Sequence, residues 1–225
     1  MTKARAGLCA GVSAMAMMAA ALAVTATLPA GGALAAEPAK AQSPWMIRGR
    51  ALAVVPQESG KIDQVPGSDV RIDNSVVPEL DITYFFTPNI AAELILGVTP
   101  HNIKGSGSLA GIDVGKAWLL PPTLTLQYHF TDFGRFKPYV GAGINYTVFF
   151  NEKAAGGVVN KLDIEDSFGA ALQVGVDYMI DDHWGVNFDV KKLFLRPDVK
   201  LNGGALTGKV DIDPWLIGVG VTYRF

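Results

Sequence analysis

The stretch Trp215 to Phe225 alternates without a break. Trp215, Ile217, Val219, Val221, Tyr223 and Phe225 are apolar or aromatic, and the residues between them are small or polar apart from Leu216. A period of two puts each set on one face of a β-strand. Seven earlier stretches read the same way. Strand one, Trp45–Val55, sets Trp45, Ile47, Gly49, Ala51, Ala53 and Val55 against Met46, Arg48, Arg50, Leu52 and Val54. Strand two, about Val76 to Phe86, sets Leu80, Ile82, Tyr84 and Phe86 against Glu79, Asp81, Thr83 and Phe85. Strand three, Ile90–Thr99, sets Ala92, Leu94, Leu96 and Val98 against Glu93 and Ile95. Strand four ends with Leu124, Leu126, Tyr128 and Phe130 against Thr125, Gln127 and His129. Upstream it is interrupted by Pro121-Pro122, where missing N–H groups weaken pairing. Strand five, Phe136–Phe150, sets Val140, Ala142, Ile144, Tyr146 and Val148 against Gly141, Gly143, Asn145 and Thr147. Strand six sets Phe168, Ala170, Leu172, Val174, Val176 and Tyr178 against Gln173 and Asp177. Strand seven sets Trp184, Val186, Phe188 and Val190 against Asn187, Asp189 and Lys191. Lys192 interrupts that pattern and reads as a snorkelling residue near the far interface.

The connections alternate in length. Pro56–Ser75, Pro100 to about Gly115, Asn151–Leu162 and Arg196–Lys209 are expected as long polar loops. Thr87–Asn89, Thr131–Arg135 and Asp181-Asp182 are short turns. Both ends of the strand set therefore fall on the short-turn side. An even strand number with short turns at one end and longer loops at the other is the layout of a bacterial outer-membrane barrel. Aromatic residues gather beside the short turns: Trp45, Phe86, Tyr128, Phe130, Phe136, Tyr139, Tyr178, Trp184, Tyr223 and Phe225. A second set, Phe149, Phe150, Phe194 and Trp215, lies towards the long loops. Two such belts are expected where a barrel meets the two membrane–water interfaces. The alternative is a soluble eight-stranded barrel of the lipocalin kind, with the apolar face inside. Alternation alone does not say which face is out.

The first residues tip that balance. Lys3 and Arg5 precede an uncharged, Ala- and Met-rich run, Ala6–Ala36, that holds Ala33-Leu34-Ala35. A basic start, an apolar middle and a small-residue site make a secretory signal, cut after Ala35. An uncleaved anchor helix is the alternative, since the run is long enough to span; Pro29, Gly31 and Gly32 favour cleavage. The expected organisation is a signal peptide over 1–35, a periplasmic lead-in over 36–44 and an all-β, eight-stranded antiparallel transmembrane β-barrel over 45–225. Cys9 is the one cysteine and falls in the leader, so the mature chain has no disulfide. Lys3 and Arg5 are two of the 19 basic residues, and the remaining 17 face 21 acidic ones. That balance gives no reason to expect nucleic acid. No later segment is apolar over the length a spanning helix needs, and only helices and closed barrels satisfy the backbone inside lipid. The expected location is the bacterial outer membrane.

Catalytic and metal signals are weak. His101, His129 and His183 are scattered over a loop, a strand and a turn, so no metal site and no cofactor are expected. Gly141-Ala142-Gly143 lies inside a strand and is read as lumen space rather than a phosphate loop. A paired-acid hydrolase on Glu93, Asp177 and Asp189 is the enzymatic alternative. The plainer reading is a lumen charge network of Arg48, Arg50, Glu93, Asp177, Asp189 and Arg224, with inward acids paired to arginines.

Several segments also resemble the outer membrane protein W family: Leu119 to Gln127, Lys137 to Thr147 with Phe149-Phe150, Ser167 to Tyr178, Asp213-Pro214-Trp215 and Tyr223-Arg224-Phe225. The resemblance covers residues 45 to 225. It implies an eight-stranded outer-membrane barrel with a narrow, apolar-lined pocket opening outward, passage of small hydrophobic molecules, and lateral exit between strands. Ile95 matches one part of the family's apolar gate. Lys191 stands where the family's strand-seven aromatic would be, so a cation replaces the other part. The gate and pocket candidates are Ile95, Lys191, Leu119, Leu120, Pro121 and Pro122.

An eight-stranded barrel is just wide enough for side chains to fill it. With arginines and acids inside, a wide water channel is not expected. An apolar solute must then avoid the plug, and the Pro121-Pro122 break offers a way through the wall. Passive passage of small hydrophobic molecules is the first functional reading. The second is a structural or interaction protein whose long outer loops bind a partner, and the third a soluble secreted ligand carrier. Expected partners are outer-membrane lipid, small hydrophobic solutes, and the barrel-assembly machinery through Tyr223 and Phe225, with the chain a monomer or weak oligomer.

Overall fold

The computed structural model describes residues 43–225. The expected signal peptide over 1–35, and the lead-in up to residue 42, lie outside the described residues. Among the described residues are fifteen strands and one short 3-10 turn, Asn202–Gly204. Eight strands close a ring: β1 (Trp45–Val55), β4 (Ser75–Phe85), β5 (Ile90–Gly97), β8 (Thr123–His129), β9 (Phe136–Ala154), β11 (Ser167–Met179), β12 (Trp184–Phe194) and β15 (Trp215–Arg224). Each pairs antiparallel with its sequence neighbour in the ring. β1 and β15 close it, with Arg48 opposite Thr222 and Arg50 opposite Gly220. Closure removes the sheet edges, as a wall immersed in lipid requires.

The alternation sorts by face. Leu126, Ile144, Leu172, Val174, Phe188 and Val219 are exposed on the outside of the ring, while Arg48, Asp81, Thr83, Glu93, Thr125 and Asp189 are fully buried inside. The lower aromatic belt is a chain of edge-on contacts: Trp45–Tyr84 at 4.8 Å, Tyr84–Phe86 at 5.3 Å, Trp184–Tyr223 at 4.8 Å and Tyr223–Phe225 at 5.0 Å between centroids. The upper belt includes exposed Trp118, Phe150, Phe168, Phe194 and Trp215. Two residues expected in the belts point inward instead. Tyr139 is fully buried against the lumen charges, and Phe149 is buried among apolar residues above them. Both follow from the phase of β9, whose outward set is Val140, Ala142 and Ile144. Lys192 lies on the outer face and reaches up: its ammonium sits 5.0 Å over the Trp215 ring and donates to Gln57 Oε1 at 2.7 Å.

The expected long loops are strands for much of their length. β3 (Ser68–Ile72), β6 (Thr99–Gly107) and β7 (Asp113–Leu120) extend the wall beside the upper part of β9. β2 (Ser59–Ile62), β10 (Leu162–Ile164), β13 (Asp198–Leu201) and β14 (Leu206–Asp211) make a second sheet in the order β10-β13-β14-β2. These strands alternate too, with the polarity reversed. Ile62, Val70, Ile72, Leu162, Ile164, Val199, Leu201, Val210 and Ile212 face inward and join one apolar cluster. Lys61, Arg71, Lys104, Lys116, Asp163, Lys200 and Lys209 face out and are exposed. Water outside this half rewards a charged exterior, as in any soluble sheet.

Candidate functional site

The lower lumen is filled by charge. The Arg48 guanidinium grips Asp177 with two bonds, at 2.7 and 3.0 Å, donates to Thr83 Oγ1 at 3.0 Å, and pairs with Glu93. Arg50 pairs with Asp81, lies 2.9 Å from Glu79 Oε1, and donates to Asn187 Oδ1 at 2.9 Å. Lys191 Nζ bridges Glu79 at 2.9 Å and Asp189 at 2.8 Å. Neutral groups stitch the rest: Tyr139 donates to Asp189 at 2.7 Å, and Gln173 Nε2 donates to Glu93 and Asp189, both at 2.8 Å. Glycines opposite give these side chains room. A Cβ at Gly175 would lie 2.4 Å from the Tyr139 hydroxyl, and one at Gly220 would lie 2.7 Å from Arg50 Cγ. A buried charge is tolerable only when paired and hydrogen-bonded. An eight-stranded interior is just wide enough for side chains to fill, and these buried charges occupy it.

Above the plug lies an apolar pocket with a cavity volume of about 80 Å³. A single water needs roughly 10–15 Å³ by such a measure, so the space suits a small solute. Glu79 and Lys191 form its floor, and Ile95, Leu52, Val54, Leu193 and Leu216 the layer above. Leu119, Phe149, Leu195, Val199 and Ile212 continue the wall outward. His101, Thr99 and Thr123 add its few other polar groups.

The wall is broken beside this pocket. Ile95 pairs with Thr123, and Thr99 with Leu119, in one unbroken register. Between them, among the described residues, no ladder pairing joins Leu96–Val98 to Leu120–Pro122. Pro121 and Pro122 lack the donors, and their carbonyls bond instead to Asn145 Nδ2 and to the Tyr146 amide. On the other flank, the β4–β5 ladder ends at Glu79 opposite Gly97, next to Pro78. Gly97 and Pro121 both line the pocket, so the unpaired stretch borders it.

The sequence candidates sort as follows. Ile95, Lys191, Leu119 and Pro121 line the pocket, while Leu120 and Pro122 fall on the other face of the wall and are absent from its lining. Arg48, Arg50, Glu93, Asp177 and Asp189 meet in the plug. Arg224 does not join an ion pair there among the described residues; its guanidinium lies 4.2 Å from the Phe85 ring centroid, at the lower rim. Glu79 and Asp81, which complete the plug, share the inward face of strand two with Thr83 but carry no motif. The apolar inward pairs of β2, β10, β13 and β14 were legible only as isolated alternations of three to six residues.

Known proteins match this architecture. The model of the OmpW family matches residues 42–225. An uncharacterized outer-membrane protein, y4mB of Sinorhizobium fredii, is 63% identical over 81% of this chain and 80% of its own length. Outer membrane protein W of Escherichia coli is 40% identical over 92% of this chain and 97% of its own. The crystal structure of the outer membrane protein OprG from Pseudomonas aeruginosa superposes with a TM-score of 0.75 at 30% identity, covering 82% of this chain and 97% of that one. Fold, belts and full-length match agree: the chain belongs to the OmpW family of outer-membrane β-barrels.

Proposed function

We propose that the barrel gives small hydrophobic molecules a passive route across the outer leaflet. A solute enters the apolar pocket from outside, stops at the charged floor, and leaves sideways between strands into the membrane. One observation carries this reading: the pocket is apolar on nearly every side and ends on the ionic plug, yet touches an unpaired stretch of wall at Gly97 and Pro121. The Lys191 cation does not close the path, because Glu79 and Asp189 hold it in the floor. In this scheme Ile95 and Leu119 are the pocket's inner wall and Pro121-Pro122 the exit. Tyr223, half-buried, and Phe225, exposed at the lower rim, would meet the assembly machinery during insertion.

The test is flux into vesicles whose outer leaflet is lipopolysaccharide, using a small apolar fluorophore beside a small polar solute. The apolar probe should enter faster with the protein present, and the polar one should not. Ile95→Arg should abolish the difference. Replacing Pro121 and Pro122 with Thr should restore ladder bonds and slow the apolar probe. Unchanged flux in that double variant would refute the lateral exit. Flux of neither probe would favour an anchor whose outer sheets bind a partner.

A further inference from the structure

We propose that the pocket selects hydrocarbons bearing one hydroxyl group, alcohols or phenols, and that His101 is the residue that reads it. This rests on the pocket reading above and adds its substrate class. His101 is 7% exposed and lines the pocket on β6, above the upper aromatic belt. Its Nδ1 lies 3.0 Å from the Asp73 carbonyl oxygen. A carbonyl only accepts, so Nδ1 carries the hydrogen and donates. Burial holds the imidazole below its ordinary pKa, so the ring is neutral near pH 7. Nε2 is then a bare acceptor, and no donor from the described residues reaches it.

Nε2 is not one of the fully buried atoms left without a partner, so it keeps accessible surface for a donor from the pocket. Two of its neighbours carry no donor: Ala117 lies directly across the ladder, and Ile103 shares the same inward face. A ligand hydroxyl can donate. Thr99, two residues earlier on that face, can donate to the ligand oxygen in turn. The floor does not favour an ionised head group. Its Lys191 is already held by two carboxylates, and a third anion would face Glu79. The geometry therefore favours a neutral hydroxyl over a carboxylate, and a directional contact over a purely greasy fit.

The experiment uses the mature chain in lipid nanodiscs, titrated with 4-propylphenol and, separately, propylbenzene. Binding is followed by backbone amide shifts of Ala117 and Leu195. The wild type should prefer the phenol by roughly two- to tenfold, the value of one net hydrogen bond. His101→Asn keeps a side-chain N–H for the Asp73 carbonyl and removes Nε2. The ratio of phenol to propylbenzene affinity should fall to about one in this variant, and in His101→Phe as well. Unchanged heat-modifiable gel mobility shows that each variant is folded. Equal wild-type binding of the two ligands, or a preference that survives in His101→Asn, overturns the role of His101 and leaves the pocket standing. Binding of neither ligand by the wild type overturns the pocket reading and this inference together.

Discussion

The two halves of this barrel solve opposite problems with one strand pattern. In the membrane half, apolar residues point out and charges point in; Val174 is exposed while Asp189 is fully buried. In the outer half the order is reversed, with Lys209 exposed and Val210 buried on the next residue. What changes is the solvent outside. Lipid cannot hydrogen-bond, so the wall there must be apolar and the polar residues have nowhere to go but inward. Water allows the ordinary arrangement, a charged exterior over an apolar interior. The pocket exists because the second interior is lined but not filled. The seam between the halves, at the height of Lys191 and Glu79, is where an apolar space meets an ionic one.

The comparison breaks most sharply in the plug. Arg48→Ala removes the partner of Asp177 and Glu93 and leaves both carboxylates buried. Removing one member of a buried pair typically costs about 3–5 kcal/mol. The loss should appear in urea unfolding from vesicles, followed by heat-modifiable gel mobility. A cost under about 1 kcal/mol would mean that water already enters the lower lumen and the plug is open.

On the lipid side, Val174→Arg places a cation near the middle of β11, between Val140 and Val190. At that depth an arginine on the outer face costs about 2–4 kcal/mol. The same unfolding assay in bilayers reads it. A negligible effect would place Val174 away from the bilayer centre and shift the whole membrane boundary.

The outer half yields a smaller and more local effect. Val210→Asp puts a carboxylate on the apolar face of β14 against the cluster of Ile62, Val199 and Ile212. Burying an unpaired polar group costs about 1–3 kcal/mol by protein mutational data. The ring below keeps its own ladder, so only the outer sheet should open. Limited trypsin digestion should then cut at exposed Lys200 and Lys209 while the ring stays protected. Loss of the whole barrel would show that the halves fold as one unit.

How much of this was legible follows from the same contrast. The eight ring strands carry long alternating runs because lipid enforces the outward set over ten or so residues. Arg48, Arg50, Glu93, Asp177 and Asp189 fell on the inward face by period alone. Their partners did not: register sets Arg50 opposite Glu79, which it meets, but also Arg48 opposite Asp81, whereas Asp81 pairs with Arg50 and Arg48 reaches across the lumen to Asp177 and Glu93. The outer strands read as loops because each shows only two or three inward residues, such as Leu162 and Ile164, among glycine and charge. The Leu119 to Pro122 run has no period at all, so nothing in the residues separated the inward Leu119 and Pro121 from Leu120 and Pro122. Ile95 entered through the family resemblance, and His101 looked like one scattered histidine until β6 placed it on the pocket wall.

The smallest effect is the mirror of the second. Lys209→Leu puts an apolar side chain on the outer face of β14, where Val174→Arg puts a charge on the outer face of β11. Lys209 lies opposite Lys61 on one side and Asp198 on the other, and its Nζ is 3.8 Å from Asp198 Oδ1 in an exposed pair. Exposed pairs contribute little, and surface substitutions usually stay within about 0.5 kcal/mol. Relief of the Lys61 repulsion offsets the lost pair. Unfolding should therefore be nearly unchanged by Lys209→Leu. The asymmetry between the two outward substitutions is the direct reading of which solvent each half faces. If Lys209→Leu stabilised the protein by as much as Val174→Arg harmed it, β14 would lie in lipid, and the pocket would open within the membrane rather than above it.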